Sequence, residues 1–146
     1  MNISVIIPTL DNPDDVFDVI KSLNQQLLLP SEIVIVDSSS KDDIDKLSKN
    51  IDSIIPITYA RFGRAYRNDR LIMMLKTLPI TKYFFQSNLK GRAYPYEATN
   101  HGSLIAKNEW LAFLDATTIP SKNWIKDYVE TIQRNKAEVV FGNTQY

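Results

Sequence analysis

The stretch "WLAFLDATTIP", Trp110 to Pro120, holds an apolar run that stops at an acid. Trp110 to Leu114 is too short for a stable helix and carries no polar residue, the pattern of a strand covered on both faces. Asp115 closes the run, and Thr117 stands two residues on, where a second carboxylate would complete a D-x-D pair. The same reading applies upstream. "ISVII", Ile3 to Ile7, is apolar and rich in β-branched residues, and Pro8 stops it; "EIVIVD", Glu32 to Asp37, again ends on an aspartate.

Helical patterns separate these strands. After "DNPDD", with Asn12 as N-cap, Pro13 at the first helical position and Asp14 and Asp15 complementing the helix dipole, Val16, Val19, Ile20, Leu23 and Leu27 recur at helical spacing. "SSSKDD" leads toward a short helix with Ile44, Leu47 and Ile51 as its apolar positions, and "IPITYARF" reads as a strand. "RLIMMLKTL" reads as a short helix ended by Pro79, and "KYFF" as a strand or an anchored loop. "YEATNHGSLIAKN" places Ala98, Gly102, Ile105 and Ala106 on one helix face. "SKNWIKDYVETIQRN" is amphipathic through Trp124, Tyr128, Val129 and Ile132, and "AEVVFGNTQY" starts a further strand. Continuously apolar strands alternating with helices predict an α/β fold, a mostly parallel sheet with helices on both faces. Ligands of such sheets bind beyond the carboxyl ends of the strands. Thr9, Asp11, Asp37 and Asp115 all fall there.

The chain has 146 residues, one domain by length, and 44% of them are hydrophobic, enough for a proper core. Without cysteine there is no disulfide framework, thiolate zinc site or cysteine nucleophile. No run approaches the ~18 apolar residues of a membrane span, and "MNISVIIPTL" lacks the basic start of a signal peptide. Arg61 to Arg92 holds eight basic residues and one acid, although the whole chain has 17 of each sign. That asymmetry suits an anion: a phosphate, a membrane surface or a nucleic acid. The four glycines form neither G-x-G-x-x-G nor a P-loop, so phosphate would be met by a metal ion, by arginine or by helix N-termini. A carboxylate at a strand end can accept from a ribose hydroxyl or a base N–H, or hold a hard cation. It can equally be no more than the cap of the following helix. "SSS" is also an ordinary turn sequence. His101, the single histidine, has no partner acid or nucleophile at a diagnostic spacing.

Taken together the blocks resemble the family-2 glycosyltransferases and their GT-A, Rossmann-like fold. That family opens with P-T-x-N, here "IPTLD"; continues with S-L-x-x-Q, here "SLNQQ"; then E-I-x-V-V-D-x-x-S, here "EIVIVDSSS"; then A-R-N-x-G, six residues and E, here "ATNHG" and "EWLAFLDATTIPSKNW". The four stand in register along nearly the whole chain. The resemblance implies that residues 1–146 are the nucleotide-sugar-binding, N-terminal part of a transferase domain, truncated at the C-terminus. It implies a nucleotide-diphosphate-sugar site built from Thr9, Leu10, Asp11, Asp37, Ser39, Arg92 and Asp115. It further implies inverting transfer of the sugar to an acceptor hydroxyl, in a cytoplasmic protein of bacterial surface polysaccharide synthesis.

The departures from the family pattern are specific. Leu10 stands where an aromatic residue often stacks on the base, Asp11 replaces Asn, Thr99 replaces Arg, and Asn108 replaces a common Gly. Thr117 replaces the family's principal metal ligand, and a neutral hydroxyl is a poor substitute for a carboxylate on Mg²⁺ or Mn²⁺. Two arrangements follow: a Mg or Mn cation held by Asp115 and the donor phosphates, or a diphosphate neutralised by Arg92, Arg64 and Arg67. The family's general base follows D-x-D at a distance, and no acid here is placed for it: Asp127 and Glu130 read as helical and Glu138 as opening a strand. The catalytic base is therefore unassigned, and a nucleotide-binding or interaction module without chemistry is the alternative reading. Arg67 to Phe85 combines basic and apolar residues. It suits either plain core packing or peripheral contact with the inner face of a membrane carrying a lipid-linked acceptor. No nucleic-acid-reading motif is present, so nucleic acid is not expected as a partner.

Overall fold

The computed structural model describes residues 1–10, 12–38, 81–85 and 94–142. Four strands form one parallel sheet: β1 (Ile3–Thr9), β2 (Glu32–Asp37), β3 (Thr81–Phe85) and β4 (Trp110–Phe113), in the spatial order β3-β2-β1-β4. The order reverses at β1. The chain steps from β1 through β2 to β3 on one side, then returns to lay β4 on the other. Helix α1 (Pro13–Leu23) follows β1, α2 (Pro95–Ile105) precedes β4 and α3 (Trp124–Asn135) follows it. Crossovers in a parallel sheet are right-handed, so steps in opposite directions put their helices on opposite faces.

The core has those two layers. Ile3, Val5 and Ile7 of β1, Ile33 and Ile35 of β2 and Ala112 point to one face. There they pack with Val16, Val19, Ile20 and Leu23 of α1 and Ile125 of α3. Ile6, Val34 and Val36 point to the other and meet Ala98, Ile105 and Ala106. The period-two alternation of a strand explains why the runs of β1 and β2 are apolar throughout: each serves two cores. β4 departs from the expected strand covered on both faces, because Trp110 and Leu111 are only half-buried and Phe113 is 54% exposed. α2 comes very close to the sheet. A Cβ on Gly102 would stand 2.5 Å from Ile6 Cγ2 and 3.2 Å from Val36 Cγ2, so only glycine lets the helix backbone approach this far.

The amino end of the sheet is pinned by a buried polar cluster. Ser4 Oγ donates to Glu32 Oε2 at 2.7 Å, and the Lys107 amide donates to the same oxygen at 2.8 Å. Asn108 Nδ2 donates to Ser4 Oγ at 2.9 Å. Asn108 in place of glycine thus ties the turn before β4 to β1. Gln26, the glutamine of "SLNQQ", is buried as well. Its Nε2 donates to the Ser121 carbonyl at 2.7 Å, and its Oε1 accepts from the Ile125 amide at 3.2 Å. It joins the end of α1 to the first turn of α3, where helix amides lack intrahelical acceptors.

Several expectations are corrected. α1 ends at Leu23, and Leu27 is 67% exposed: Asn24 caps the helix, and the Leu27 amide donates to the Lys122 carbonyl. Asn12 sits at the N-cap of α1, but its side chain makes no cap hydrogen bond. α2 stops at Ile105, because Ala106 turns extended. α3 begins at Trp124, and its buried residues are Ile125 and Ile132. Residues 137–142 form no strand, so Glu138 does not open one; no described strand runs beside them, and Phe141 is 91% exposed. "KYFF" is resolved as a strand, since β3 pairs with β2 from Thr81 opposite Ile33 to Phe85 opposite Asp37. The helix expected around Ile44, Leu47 and Ile51, the strand in "IPITYARF" and the helix in "RLIMMLKTL" lie outside the described residues.

Candidate functional site

The carboxyl ends of β1, β2 and β4 lie side by side where the strand order reverses, the end of a parallel sheet at which ligands bind. β1 is the middle strand of the three. Thr9 pairs with Asp37, and the Ser38 amide donates to the Thr9 carbonyl at 2.9 Å, carrying the ladder one step past β2. On the other side Phe113 pairs with Ile6, and the Leu114 amide donates to the Ile6 carbonyl at 3.0 Å. Asp115 is the next residue. Asp37 and Asp115 therefore stand at the same end of the sheet, on strands flanking β1, with backbones roughly 10 Å apart from two strand spacings.

Around Thr9 the loop is organised by Asn12. Its Oδ1 accepts from Thr9 Oγ1 at 2.7 Å and from the Leu10 amide at 3.3 Å. That fixes the exit from β1 and leaves Leu10 partly exposed at the sheet end. At β4 the missing second acid has a concrete consequence. The Thr117 hydroxyl and amide both donate to Asp115 Oδ1, at 2.7 and 2.9 Å. Thr117 thus acts as a donor that occupies one carboxylate oxygen, the reverse of a second metal ligand. Asp115 is exposed and its Oδ2 has no partner among the described residues. No group of three or more His, Cys, Asp or Glu side chains suited to a metal occurs among the described residues.

Thr99, in the place of the family's arginine, is committed to its own helix: its Oγ1 donates to the Pro95 carbonyl at 2.8 Å. Thr9, Leu10, Asp37 and Asp115 are thus brought to one end of the sheet by backbone position. Asp11, Ser39 and Arg92 lie outside the described residues, with Arg64 and Arg67. Ser38, absent from the residues the sequence singles out, is buried and its amide is fixed against β1; its period-two spacing from Val34 and Val36 is the signal in the sequence.

Residues 4–146 match the family model described as Glycosyl transferase family 2. The chain belongs to that family. The chondroitin synthase of Escherichia coli is 21% identical to it, over 99% of this chain and 17% of that protein. S. aureus TarS has the same fold in its crystal structure, with a TM-score of 0.62 at 20% identity, covering 93% of this chain and 33% of that one. A further crystal structure of TarS holds UDP-GlcNAc, with a TM-score of 0.61 at 18% identity over 93% and 32% of the two chains. A mannosyltransferase of Pyrobaculum calidifontis in complex with GDP-Man and Mn²⁺ gives 0.60 at 17% identity, over 90% and 32%. The chain thus spans about a third of the solved relatives' length and less of the synthase. No described helix is long and apolar enough to cross a membrane.

Proposed function

We propose that residues 1–146 bind the nucleotide-diphosphate-sugar donor of a glycosyltransferase that moves the sugar to an acceptor hydroxyl with inversion. The observation that carries this reading is the placement of Thr9, Asp37 and Asp115 at the carboxyl ends of three adjacent strands, where the strand order reverses. Nucleotide sugars in solved relatives, UDP-GlcNAc in TarS and GDP-Man in the Pyrobaculum calidifontis mannosyltransferase, indicate the ligand class. In this reading Asp37 accepts from the base or ribose, and Asp115 stands at the ribose and diphosphate. Asp11, Ser39 and Arg92 complete the pocket.

The transfer forms a bond from the acceptor oxygen to the anomeric carbon while the bond to the diphosphate breaks, and the hydroxyl proton passes to a base. No described acid after Asp115 suits that base. Asp127 and Glu130 lie on α3, where Glu130 faces Lys126 at 3.7 Å, and the first turn of α3 is held against the end of α1 remote from Thr9. The residues at β4 fit a divalent Mg or Mn ion only as one monodentate ligand, Asp115 Oδ2, shared with the donor phosphates; bound there, the ion would neutralise charge on the leaving diphosphate. A bacterial surface polysaccharide as product, and a lipid-linked acceptor met at the inner face of the membrane, complete the proposal.

Calorimetric titration with UDP-GlcNAc and GDP-mannose tests it. Binding of either, weakened about tenfold or more in Asp115→Asn, is the expected result. Binding unaffected by Asp115→Asn and by Asp37→Asn would remove the crevice as the donor site. The alternative, a nucleotide-binding module without transfer, is favoured by Thr117 occupying Asp115 Oδ1 and predicts metal-independent binding.

A further inference from the structure

Helix α2 begins past the end of the sheet it covers. Gly102 lies over Ile6 and Val36, Ala98 packs with the same residues one turn earlier, and the Lys107 amide reaches Glu32 at the amino end of β2. α2 therefore runs antiparallel to the strands. Beyond Val36, β2 continues only to Asp37, roughly 3.3 Å. From Gly102 back to Tyr94 is roughly 12 Å at the rise of a helix. The start of α2 thus stands past the strand ends, at the end of the sheet that carries Thr9, Asp37 and Asp115. Two aromatic rings sit there. Tyr94 and Tyr96 are stacked, with ring centroids 5.4 Å apart and planes inclined by 12°. Trp124 and Tyr128 also form a ring pair, but they pack against the core. Tyr94 and Tyr96 are instead 58% and 60% exposed and belong to neither core layer. Two large aromatic side chains held in water at the ligand end of a sheet have area to give to a partner. Their backbone is also fixed. Pro95 lies between them, and Glu97 Oε2 accepts from the Tyr94 amide at 3.2 Å, so little ordering is left for a ligand to impose.

We infer that the Tyr94–Tyr96 pair is a platform for a pyranose ring of the acceptor glycan. This rests on the reading of the chain as a sugar-transferring enzyme and adds to it an acceptor subsite. A tyrosine offers an electron-rich ring face and a polar hydroxyl tip. A pyranose offers a face of C–H groups rimmed by hydroxyls, which matches both. Charge narrows the ligand further. The ionised side chain in the first turn of α2 is the exposed Glu97, and a carboxylate there opposes a phosphate-bearing ligand. The pair therefore suits a neutral sugar over a nucleotide or an anionic headgroup. Phe113 gives the direction toward the reacting end. It is exposed, pairs with Ile6 on the face that α2 covers, and stands two residues before Asp115. A glycan seated on the tyrosines thus lies on the face from which its terminal hydroxyl can approach the end of β4.

The test is an NMR titration of the whole chain with neutral tetrasaccharides of glucose, of mannose and of N-acetylglucosamine, and separately with UDP and GDP. Tyr94→Ala and Tyr96→Ala are titrated beside the wild type. Tyr96 is an exposed helix position where alanine is the better helix former, so that variant should fold. Tyr94→Ala serves as an independent second reading. At least one tetrasaccharide is expected to shift the ring resonances of Tyr94 and Tyr96. Either alanine variant should weaken that binding about three- to tenfold and leave nucleotide affinity unchanged. Tyr96→Phe, which keeps the ring face, should retain most of it. A wild-type chain that binds none of the sugars, or sugar binding that both alanine variants leave untouched, overturns the inference. Nucleotide affinity that falls in the variants while sugar affinity does not move overturns it as well, and assigns the pair to the donor. Tyrosine-dependent sugar binding by a chain that binds neither UDP nor GDP keeps the platform and removes the donor-site reading.

Discussion

A threonine in place of an acid changes more than charge at residue 117. Its hydroxyl and amide both donate to Asp115 Oδ1, so one of the two carboxylate oxygens already accepts two hydrogen bonds. Thr117→Asp removes the hydroxyl donor and adds a hard anionic ligand. We expect nucleotide-diphosphate binding in that variant to become Mn²⁺-dependent, with about tenfold higher affinity when Mn²⁺ is present. Equal affinity with and without Mn²⁺, measured calorimetrically, would contradict the geometry proposed at β4. Gly102 makes a second residue-scale case. Gly102→Ala would drive a methyl group into Ile6 and Val36, two side chains fixed in the core. A loss of about 1–3 kcal/mol in chemical denaturation is expected, although alanine is the better helix former. Unchanged stability would mean that α2 does not lie this close to the sheet. The aspartates at the strand ends were legible because an apolar run stopping at an acid is a local pattern. The burial of Ser38 was not, because it depends on packing around the end of β2 rather than on a local pattern.

Elements were legible where burial alone decided them. β1 and β2 serve cores on both faces, so their runs are continuously apolar and their ends are sharp, whereas the equally apolar β4 leaves Phe113 exposed. The helix ends were less legible. Leu27 continues the spacing of α1, yet the chain leaves the helix at Asn24 because Gln26 and the Leu27 amide are tied to residues 121–125. That tie is nearly a hundred residues long in sequence, and no periodicity reveals it. Gln26→Ala should break it, leaving the Ile125 amide and the Ser121 carbonyl without their buried partner. A cost of about 1–3 kcal/mol is expected in urea or thermal unfolding, with hydrogen exchange rising first at the start of α3. Exchange unchanged at Ile125 would refute the link. The strand read into "AEVVFG" failed for a related reason: residues 137–142 have strand-forming composition but no described strand beside them, and a strand is made by its neighbour as much as by its residues.

For the whole molecule the governing feature is the strand order β3-β2-β1-β4. It sends α1 and α2 to opposite faces and sets the carboxyl ends of β2, β1 and β4 side by side, which brings Thr9, Asp37 and Asp115 together from distant parts of the chain. That order was not legible in an alternation of strands and helices, which is compatible with several windings. The most direct test of the central claim, a nucleotide site at the carboxyl ends of β1, β2 and β4, is an amide chemical-shift titration with UDP and with GDP. The account predicts the largest shifts at Thr9, Leu10, Ser38 and residues 115–118. No shifts with either nucleotide, or shifts confined to the opposite end around Ser31, Lys107 and Asn108, would contradict it.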